Sequence, residues 1–211
     1  MEIHEHQPVK RFGAPPHEAR IGMIMLHGRG ASAGDIAALA ELLPSGGCAF
    51  AAPEAAGNTW YPQYFLEPRE RNEPYVSSAL ATIDRLVGEF ESAGVPRERL
   101  LLLGFSQGAC LCSEYAARTP RRYGGVLALA GGLIGEHIDP EEYSGSLDGT
   151  PVFLGCSDQD PYIPKSRVEE TASVFQQLQA AVTVRLYPGL PHTVNADEIE
   201  HVSAIMQQAA G

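Results

Sequence analysis

The chain has 211 residues, of which 44% are hydrophobic, and its formal net charge is −11 at pH 7. This length is enough for one domain with a substantial core, and the hydrophobic content excludes a disordered chain. Because phosphate binding needs clustered Lys and Arg, the acidic balance argues against nucleic acid as a partner.

Apolar runs that fit buried strands alternate with stretches of helical spacing along the chain. Strands are predicted at 21–26, 49–53, 100–103, 125–130, 151–155 and 182–187. Helices are predicted at 34–43, 74–93, 107–118, 165–180 and 196–209. This alternation indicates an α/β fold with a mostly parallel central sheet and helices on both faces. We expect a single domain over residues 1–211, with residues 1–20 as an N-terminal arm or edge strand.

The N-terminal segment begins MEIHEH and has neither the basic region nor the apolar core of a signal peptide. No run approaches the roughly 18 apolar residues of a membrane span. We therefore expect no integral membrane association.

The cysteine pattern favours reduced thiols. The four cysteines do not form a disulfide framework, and no pair has the spacing of a zinc site. We predict that Cys48, Cys110, Cys112 and Cys156 pack as small apolar side chains, which fits a cytoplasmic protein. Cys156 keeps a second interpretation as a reactive thiol, because it lies near the acidic segment at 158–160.

The first apolar run ends in a glycine-rich loop, His27-Gly28-Arg29-Gly30. Loops of this kind also bind nucleotide phosphates. However, the spacing of Gly28, Gly30 and Gly34 misses the dinucleotide pattern by one residue, and no Gly-Lys-Ser/Thr follows. We interpret the loop as an oxyanion loop whose shape depends on His27.

The pentapeptide Gly104-Phe105-Ser106-Gln107-Gly108 lies where a predicted strand gives way to a helix. This Gly-x-Ser-x-Gly pattern is typical of a nucleophile elbow, in which the glycines let strand and helix approach closely. The serine hydroxyl is then presented above the helix N-terminus, where partial positive charge favours a developing anion. We predict that Ser106 is a nucleophile.

An acid and a base follow the elbow, each at the end of a predicted strand. Asp158 and Asp160 follow one strand, and His192 follows the next. In open parallel sheets, sites form outside the carboxyl ends of the strands. The order serine, aspartate, histidine is that of a hydrolase triad, in which imidazole takes the serine proton and the carboxylate fixes the imidazole tautomer. This chemistry requires no metal and no cofactor.

The backbone N–H groups of Gln107 and Arg29 are predicted to form the oxyanion hole. Because these donors belong to the backbone, we expect side-chain identity to matter little at both positions. The Arg29 side chain is expected to be a solvated charge.

An aromatic segment at 58–66 contains proline and follows a strand. It has two interpretations, core packing and the wall of a substrate pocket. The predicted pocket residues are Trp60, Tyr61, Phe65, Leu133, Tyr162 and Ile163.

Four segments together resemble the phospholipase/carboxylesterase family of α/β-hydrolases, which includes acyl-protein thioesterases and small bacterial carboxylesterases. They are residues 26–30, 104–108, 158–164 and 191–192, and the resemblance extends from about residue 20 to the C-terminus. It implies an α/β-hydrolase fold, esterase or thioesterase activity, and Ser106, Asp160 and His192 as catalytic residues. The match favours Asp160 over Asp158 as the acid, so that Asp158 would hold the loop through local backbone hydrogen bonds.

Two departures from the family pattern bear on the substrate. The thioesterase branch usually has His-Gly at the position of Gly155-Cys156, and Leu-Gly-Asp where this chain has Arg29-Gly30-Ala31. Both departures favour generic carboxylesterase activity over acyl-protein thioesterase activity.

The resulting hypothesis is a serine hydrolase without a large cap domain that cleaves short- to medium-chain carboxylic esters through an acyl-Ser106 intermediate. Thioesters and lysophospholipids are further candidate substrates. The alternatives are a non-catalytic protein that binds a small ligand on the same fold, and a hydrolase of lactones or peptides. The sequence leaves open the natural substrate and the oligomeric state, a homodimer included.

Overall fold

A seven-stranded sheet runs through the computed structural model, which describes residues 2–211. The strands are β1 Val9–Gly13, β2 Ile21–Leu26, β3 Cys48–Pro53, β4 Leu100–Phe105, β5 Gly125–Leu129, β6 Pro151–Ser157 and β7 Ala181–Tyr187. The helices are α1 Ala33–Ala37, α2 Tyr75–Ser92, α3 Gln107–Arg118, α4 Lys165–Gln177 and α5 Ala196–Ala210. Residue 1, the first of the predicted arm, lies outside the described residues.

The strand order is β1-β3-β2-β4-β5-β6-β7. Strand β1 pairs antiparallel with β3, and all the other neighbouring pairs are parallel. The predicted mostly parallel sheet is therefore confirmed, and part of the 1–20 segment forms its antiparallel edge. All the strand ends that carry site residues lie at one edge of the sheet, because parallel strands point their carboxyl ends the same way.

Helices cover both faces of the sheet, and the alternation of side chains along β4 shows the two layers. Leu100 and Leu102 belong to the core under α2, α3 and α4, whereas Leu101 and Leu103 belong to the core under α1 and α5. Successive side chains of a strand point to opposite faces, so a strand buried on both sides is continuously apolar.

The first helix differs from its prediction. A capping box of Ser32 and Asp35 starts α1, but the α-helix ends at Ala37 and continues as a 3₁₀ helix over Ala38–Leu42.

The N-terminal segment packs against the protein at His4, which is 1% exposed. Its Nε2 donates to the Trp60 carbonyl (2.9 Å), and its Nδ1 accepts from the Ala56 N–H (3.1 Å).

None of the helices within residues 2–211 combines the length and apolar character needed to cross a membrane.

Two glycines let α3 pack directly on strand backbone. A Cβ at Gly104 would lie 2.2 Å from the Gly108 carbonyl oxygen, and a Cβ at Gly108 would lie 2.1 Å from the Leu26 carbonyl oxygen. Both distances are far shorter than van der Waals contact, and the atoms met are backbone atoms that a rotamer change cannot move. The start of α3 is therefore held against β2 and β4 by contacts that a methyl group would prevent.

We expect Gly108→Ala to destabilise the protein by at least about 1–3 kcal/mol, because the added methyl overpacks the contact with Leu26. The matched control is Gly88→Ala in α2, where a Cβ would meet nothing within 4 Å. That change should stabilise the protein by about 0.5–1 kcal/mol, since alanine loses less backbone entropy in a helix. Urea unfolding measures both, and similar effects of the two substitutions would contradict the packing argument.

Candidate active site

Ser106 lies at the turn between β4 and α3, with φ 55° and ψ −119°. A non-glycine residue with positive φ costs of order 1–3 kcal/mol and persists only where the surroundings enforce it. Here the Ser106 N–H donates to the Leu129 carbonyl (2.9 Å), and its carbonyl accepts from the Cys110 N–H (3.0 Å). The turn therefore belongs at once to the sheet and to the helix, which fixes the direction of the hydroxyl.

The side chains of Ser106, His192 and Asp160 form a continuous hydrogen-bonded chain. His192 Nε2 lies 2.9 Å from Ser106 Oγ, and His192 Nδ1 lies 2.7 Å from Asp160 Oδ2. A carboxylate accepts hydrogen bonds, so Nδ1 carries the proton and Nε2 is free to accept from the serine hydroxyl. The Asp160 side chain is 1% exposed and that of His192 is 15% exposed, so the pair is largely shielded from water.

The carboxylate of Asp160 is fixed by its own loop. Its Oδ1 accepts from the N–H groups of Tyr162 (2.8 Å) and Ile163 (3.0 Å), which leaves Oδ2 to face His192. The imidazole of His192 is held by two aromatic rings, with centroid distances of 4.9 Å to Phe105 and 5.0 Å to Tyr162.

Asp158 has a different role from the one expected. Its Oδ1 accepts from the N–H of Gly189 (2.9 Å), a residue of the loop that carries His192. The prediction of local backbone hydrogen bonds for this side chain is wrong, because the bond joins two separate loops. Asp158 thereby keeps the acid loop and the histidine loop in register.

His27 is fully buried at the start of the glycine-rich loop. Its Nε2 accepts from the Ala55 N–H (3.1 Å), so Nδ1 carries the proton and donates to the Gly28 carbonyl (2.8 Å). The side chain thus fixes the path of the loop that leads to Arg29.

Gln107 and Arg29, the predicted oxyanion residues, flank the serine. Gln107 is the first residue of α3, so its N–H has no acceptor within its own helix. The expectation that the two side chains matter little is wrong, because both hold the aromatic segment. Gln107 Oε1 accepts from the Trp60 N–H (2.8 Å), and its Nε2 donates to the Tyr61 carbonyl (2.8 Å).

The Arg29 side chain is not a freely solvated charge. Its guanidinium donates to the carbonyls of Tyr61 (2.8 Å), Pro62 (3.0 Å) and Gln63 (2.7 Å). The donors lie on both terminal nitrogens of the planar guanidinium, whereas an ammonium has its three donors on one nitrogen at the end of a shorter side chain. Gln107 and Arg29 therefore bind the same loop and hold it beside the serine.

A cavity of about 570 Å³ opens next to Ser106 and His192. Of the predicted pocket residues, Tyr61, Phe65, Tyr162 and Ile163 line it. Residues outside the predicted set line it as well, among them Tyr64 and Cys110. A helical position four residues after Ser106 lies on the same helix face, and that spacing was the available signal for Cys110.

Trp60 and Leu133 do not line this cavity, which corrects their predicted place. Both are fully buried. The Trp60 indole N–H donates to the His27 carbonyl (2.9 Å), and the Leu133 N–H donates to Thr171 Oγ1 (2.9 Å). Both side chains belong to the hydrophobic core on the α2, α3 and α4 side of the sheet.

The four cysteines are free and buried, as predicted. Burial raises the pKa of Cys110 to about 11 and that of Cys156 to about 12. Since the thiolate is the reactive form, both side chains are neutral thiols near neutral pH. The interpretation of Cys156 as a reactive thiol finds no support in this environment.

Comparison with known proteins decides the family. The phospholipase/carboxylesterase family profile matches residues 10–209. This chain belongs to the phospholipase/carboxylesterase family. A solved phospholipase/carboxylesterase from Dyadobacter fermentans DSM 18053 is 41% identical, with a TM-score of 0.93 over 96% of this chain and 97% of that one. The resemblance seen in the motifs and the predicted α/β-hydrolase fold are both confirmed.

Curated relatives of this family member include two yeast proteins. Acyl-protein thioesterase 1 from Kluyveromyces lactis is 30% identical over 138 residues, which are 64% of this chain and 60% of that protein. Acyl-protein thioesterase 1 from Saccharomyces cerevisiae is 28% identical over 135 residues, which are 63% and 59%. The chain thus spans less than two thirds of the length of either relative.

Glu198 lies in the first turn of α5, directly after the histidine loop, and is 1% exposed. It forms a capping box with Asn195, in which Oε2 accepts from the Asn195 N–H (2.9 Å). A Cβ at position 155 would lie 2.3 Å from Glu198 Oε1. Gly155, which stands where the thioesterase branch usually has histidine, therefore leaves room for the carboxylate. Burial raises the pKa of Glu198 to about 7.

This raised pKa makes stability depend on pH. The folded protein holds a proton on Glu198 between the usual value of 4.5 and about 7, where the unfolded chain has released it. The stability that this group contributes is therefore full below about 4.5 and is lost as the pH rises through about 7.

We expect Glu198→Gln to be more stable than the wild type by about 1–3 kcal/mol at pH 8, with the difference vanishing near pH 4.5. The amide keeps the shape and the acceptor for Asn195 but carries no charge. Thermal unfolding at both pH values measures this, with Glu200→Gln on the exposed face of α5 as the charge-matched control. A variant less stable than wild type at pH 8 would contradict the argument.

We expect Arg29→Lys to loosen the segment that follows Trp60, because a single nitrogen on a shorter side chain replaces the two guanidinium nitrogens that reach the three carbonyls. Amide hydrogen exchange over residues 60–64 should be about tenfold faster than in the wild type, the factor that one to two lost hydrogen bonds produce. The control is Arg71→Lys, since Arg71 makes an exposed pair with Glu67 (2.7 Å). Equal exchange in Arg29→Lys and wild type would show that the side chain does not hold the loop.

Proposed function

We propose that this protein is a serine hydrolase that cleaves carboxylic esters with short to medium acyl chains. The observation that carries the proposal is the unbroken contact from Asp160 through His192 to Ser106, at 2.7 and 2.9 Å. A serine hydroxyl is a weak nucleophile until a base accepts its proton, and here the base and its orienting acid are both in contact. Membership in the phospholipase/carboxylesterase family supports ester or thioester hydrolysis.

In the first half of the proposed reaction, Ser106 Oγ attacks the carbonyl carbon of the ester while His192 Nε2 takes its proton. The carbonyl oxygen becomes an oxyanion, which the backbone N–H groups of Gln107 and Arg29 stabilise. Collapse of this intermediate breaks the bond to the leaving oxygen, which takes the proton from His192 and departs as the alcohol. The acyl group stays on Ser106.

In the second half, His192 takes a proton from water, and the resulting hydroxide attacks the acyl carbon. The second oxyanion collapses, the carboxylic acid leaves, and Ser106 regains its proton from the imidazole. Asp160 keeps the imidazole in the tautomer that both halves require and stabilises its charged form.

The cavity beside Ser106 supports the proposed preference for short to medium acyl chains. Its volume of about 570 Å³ and its lining of aromatic and aliphatic side chains suit an apolar group of limited length. Thioesters are a second candidate substrate, because the relative from Kluyveromyces lactis is named an acyl-protein thioesterase. Lysophospholipids are a third, since their acyl ester presents the same reacting group.

The single-domain organisation and the cytoplasmic location are part of the proposal. One continuous sheet from β1 to β7 supports the first, and the free, buried cysteines support the second.

We expect Ser106→Ala to lose labelling by a fluorophosphonate probe and to lower kcat for p-nitrophenyl esters by at least about a thousandfold, because the attacking group is gone. The control is Ser166→Ala at an exposed position in α4. A series from acetate to laurate, with matched thioester and anilide substrates, then defines the preferred bond and chain length. Persistent turnover and labelling in Ser106→Ala would overturn the assignment of the nucleophile.

A further inference from the structure

A hydrogen bond joins the two loops that flank the mouth of the cavity. The Tyr64 hydroxyl, on the aromatic segment, donates to the carbonyl of Tyr162, on the acid loop. Both tyrosines line the cavity, and neither belongs to the proposed triad. The bond therefore ties the segment that Arg29 and Gln107 hold to the loop that carries Asp160.

The peptide group that accepts this bond is also a donor to the proposed catalytic acid. The Tyr162 carbonyl and the Ile163 N–H are the two ends of one planar peptide group. The Ile163 N–H donates to Asp160 Oδ1 at 3.0 Å. Hydrogen bonds in a chain polarise one another, so a donor at the carbonyl end strengthens donation at the N–H end.

The contacts form a single path of four hydrogen bonds. It runs from the Tyr64 hydroxyl through the 162–163 peptide group to Asp160 Oδ1, and then from Asp160 Oδ2 through His192 to Ser106. The Tyr64 hydroxyl is thereby connected to Ser106 through the 162–163 peptide group, Asp160 and His192.

We propose that Tyr64 is a positioning residue for the Asp160–His192 pair, acting through the peptide group between Tyr162 and Ile163. This inference rests on the proposed function and adds a residue to it. By holding that peptide group, Tyr64 keeps the Ile163 N–H aimed at Asp160 and keeps Oδ2 aimed at the imidazole.

Tyr64 is itself anchored, as a positioning residue must be. Its carbonyl accepts from the side-chain amide of Asn72 (3.2 Å), which is fully buried, and from the N–H of Glu67 (3.0 Å). Its ring packs edge-on against Phe65, with centroids 5.0 Å apart. Partial burial also raises the pKa of Tyr64, so the hydroxyl stays a donor throughout the neutral range.

The test is Tyr64→Phe, which keeps the ring and removes only the hydroxyl. The matched control is Tyr115→Phe, which removes a hydroxyl that donates to Asp84 (2.8 Å) between α2 and α3, away from the cavity. Three quantities are measured for each protein. They are kcat and KM for a p-nitrophenyl ester, the rate constant for labelling of Ser106 by a fluorophosphonate, and the proton NMR signal of the His192 Nδ1–H.

For Tyr64→Phe we expect kcat and the labelling rate to fall by about two- to tenfold, the factor that one net hydrogen bond supplies, with KM unchanged. We expect the Nδ1–H signal to move upfield and broaden, because the Asp160–His192 bond is held less firmly. Tyr115→Phe should match the wild type in all three quantities.

An unchanged Nδ1–H signal and labelling rate in Tyr64→Phe would overturn the inference, as would a change in KM alone, which would make Tyr64 part of the pocket wall. The NMR measurement needs no substrate. If the wild type neither hydrolyses esters nor reacts with the probe, the proposed function fails, while the NMR comparison still decides whether Tyr64 positions the pair.

Discussion

The contact on which the rest of the structure depends is the backbone-to-backbone packing of α3 against β2 and β4. Gly108 lies against the Leu26 carbonyl and Gly104 against the Gly108 carbonyl, at distances that admit no side chain. This packing leaves so little space between strand and helix that the connecting residue must adopt the positive φ of Ser106. The Ser106 hydroxyl therefore lies at the carboxyl edge of the sheet because α3 packs backbone to backbone on β2 and β4.

The groups around Ser106 lie on loops, and side chains that bind backbone atoms hold those loops in place. His27 binds Gly28 and Ala55, Asp158 binds the histidine loop, and Arg29 and Gln107 bind the aromatic segment. Each of these hydrogen bonds either joins two loops or fixes the path of a single loop. A loop has few backbone partners of its own, so such bonds supply the rigidity that the proposed chemistry needs.

Much of the fold follows from local pattern. Strands buried on both faces are continuously apolar, so the five inner strands β2 to β6 stand out in the sequence. The edge strand β7 shows instead an alternation of exposed and half-buried residues, and the more polar edge strand β1 is visible only as an arm or edge. Strands β4 and β6 run further than predicted, through Phe105 and Ser157, because glycine and serine near their ends mask the apolar pattern. The order of serine, aspartate and histidine could be recognised because it needs only their positions after strands.

What the sequence could not supply is the direction of side chains in loops. Trp60 turns into the core and Tyr64 faces the cavity, although both lie in one aromatic segment that has no strand or helix period. The three carbonyl contacts of Arg29 depend on the path of a loop far along the chain. The space that Gly155 leaves for Glu198 is likewise a tertiary contact, which no local pattern encodes.

The most direct test of the central claim is a crystal structure of the protein after reaction with a small organophosphonate, whose tetrahedral phosphorus imitates the intermediate of ester hydrolysis. We expect phosphorus bonded to Ser106 Oγ, with the phosphonyl oxygen within hydrogen-bond distance of the N–H groups of both Gln107 and Arg29 and the substituent in the cavity. Phosphorus on another residue, or a phosphonyl oxygen turned away from these two donors, would contradict it.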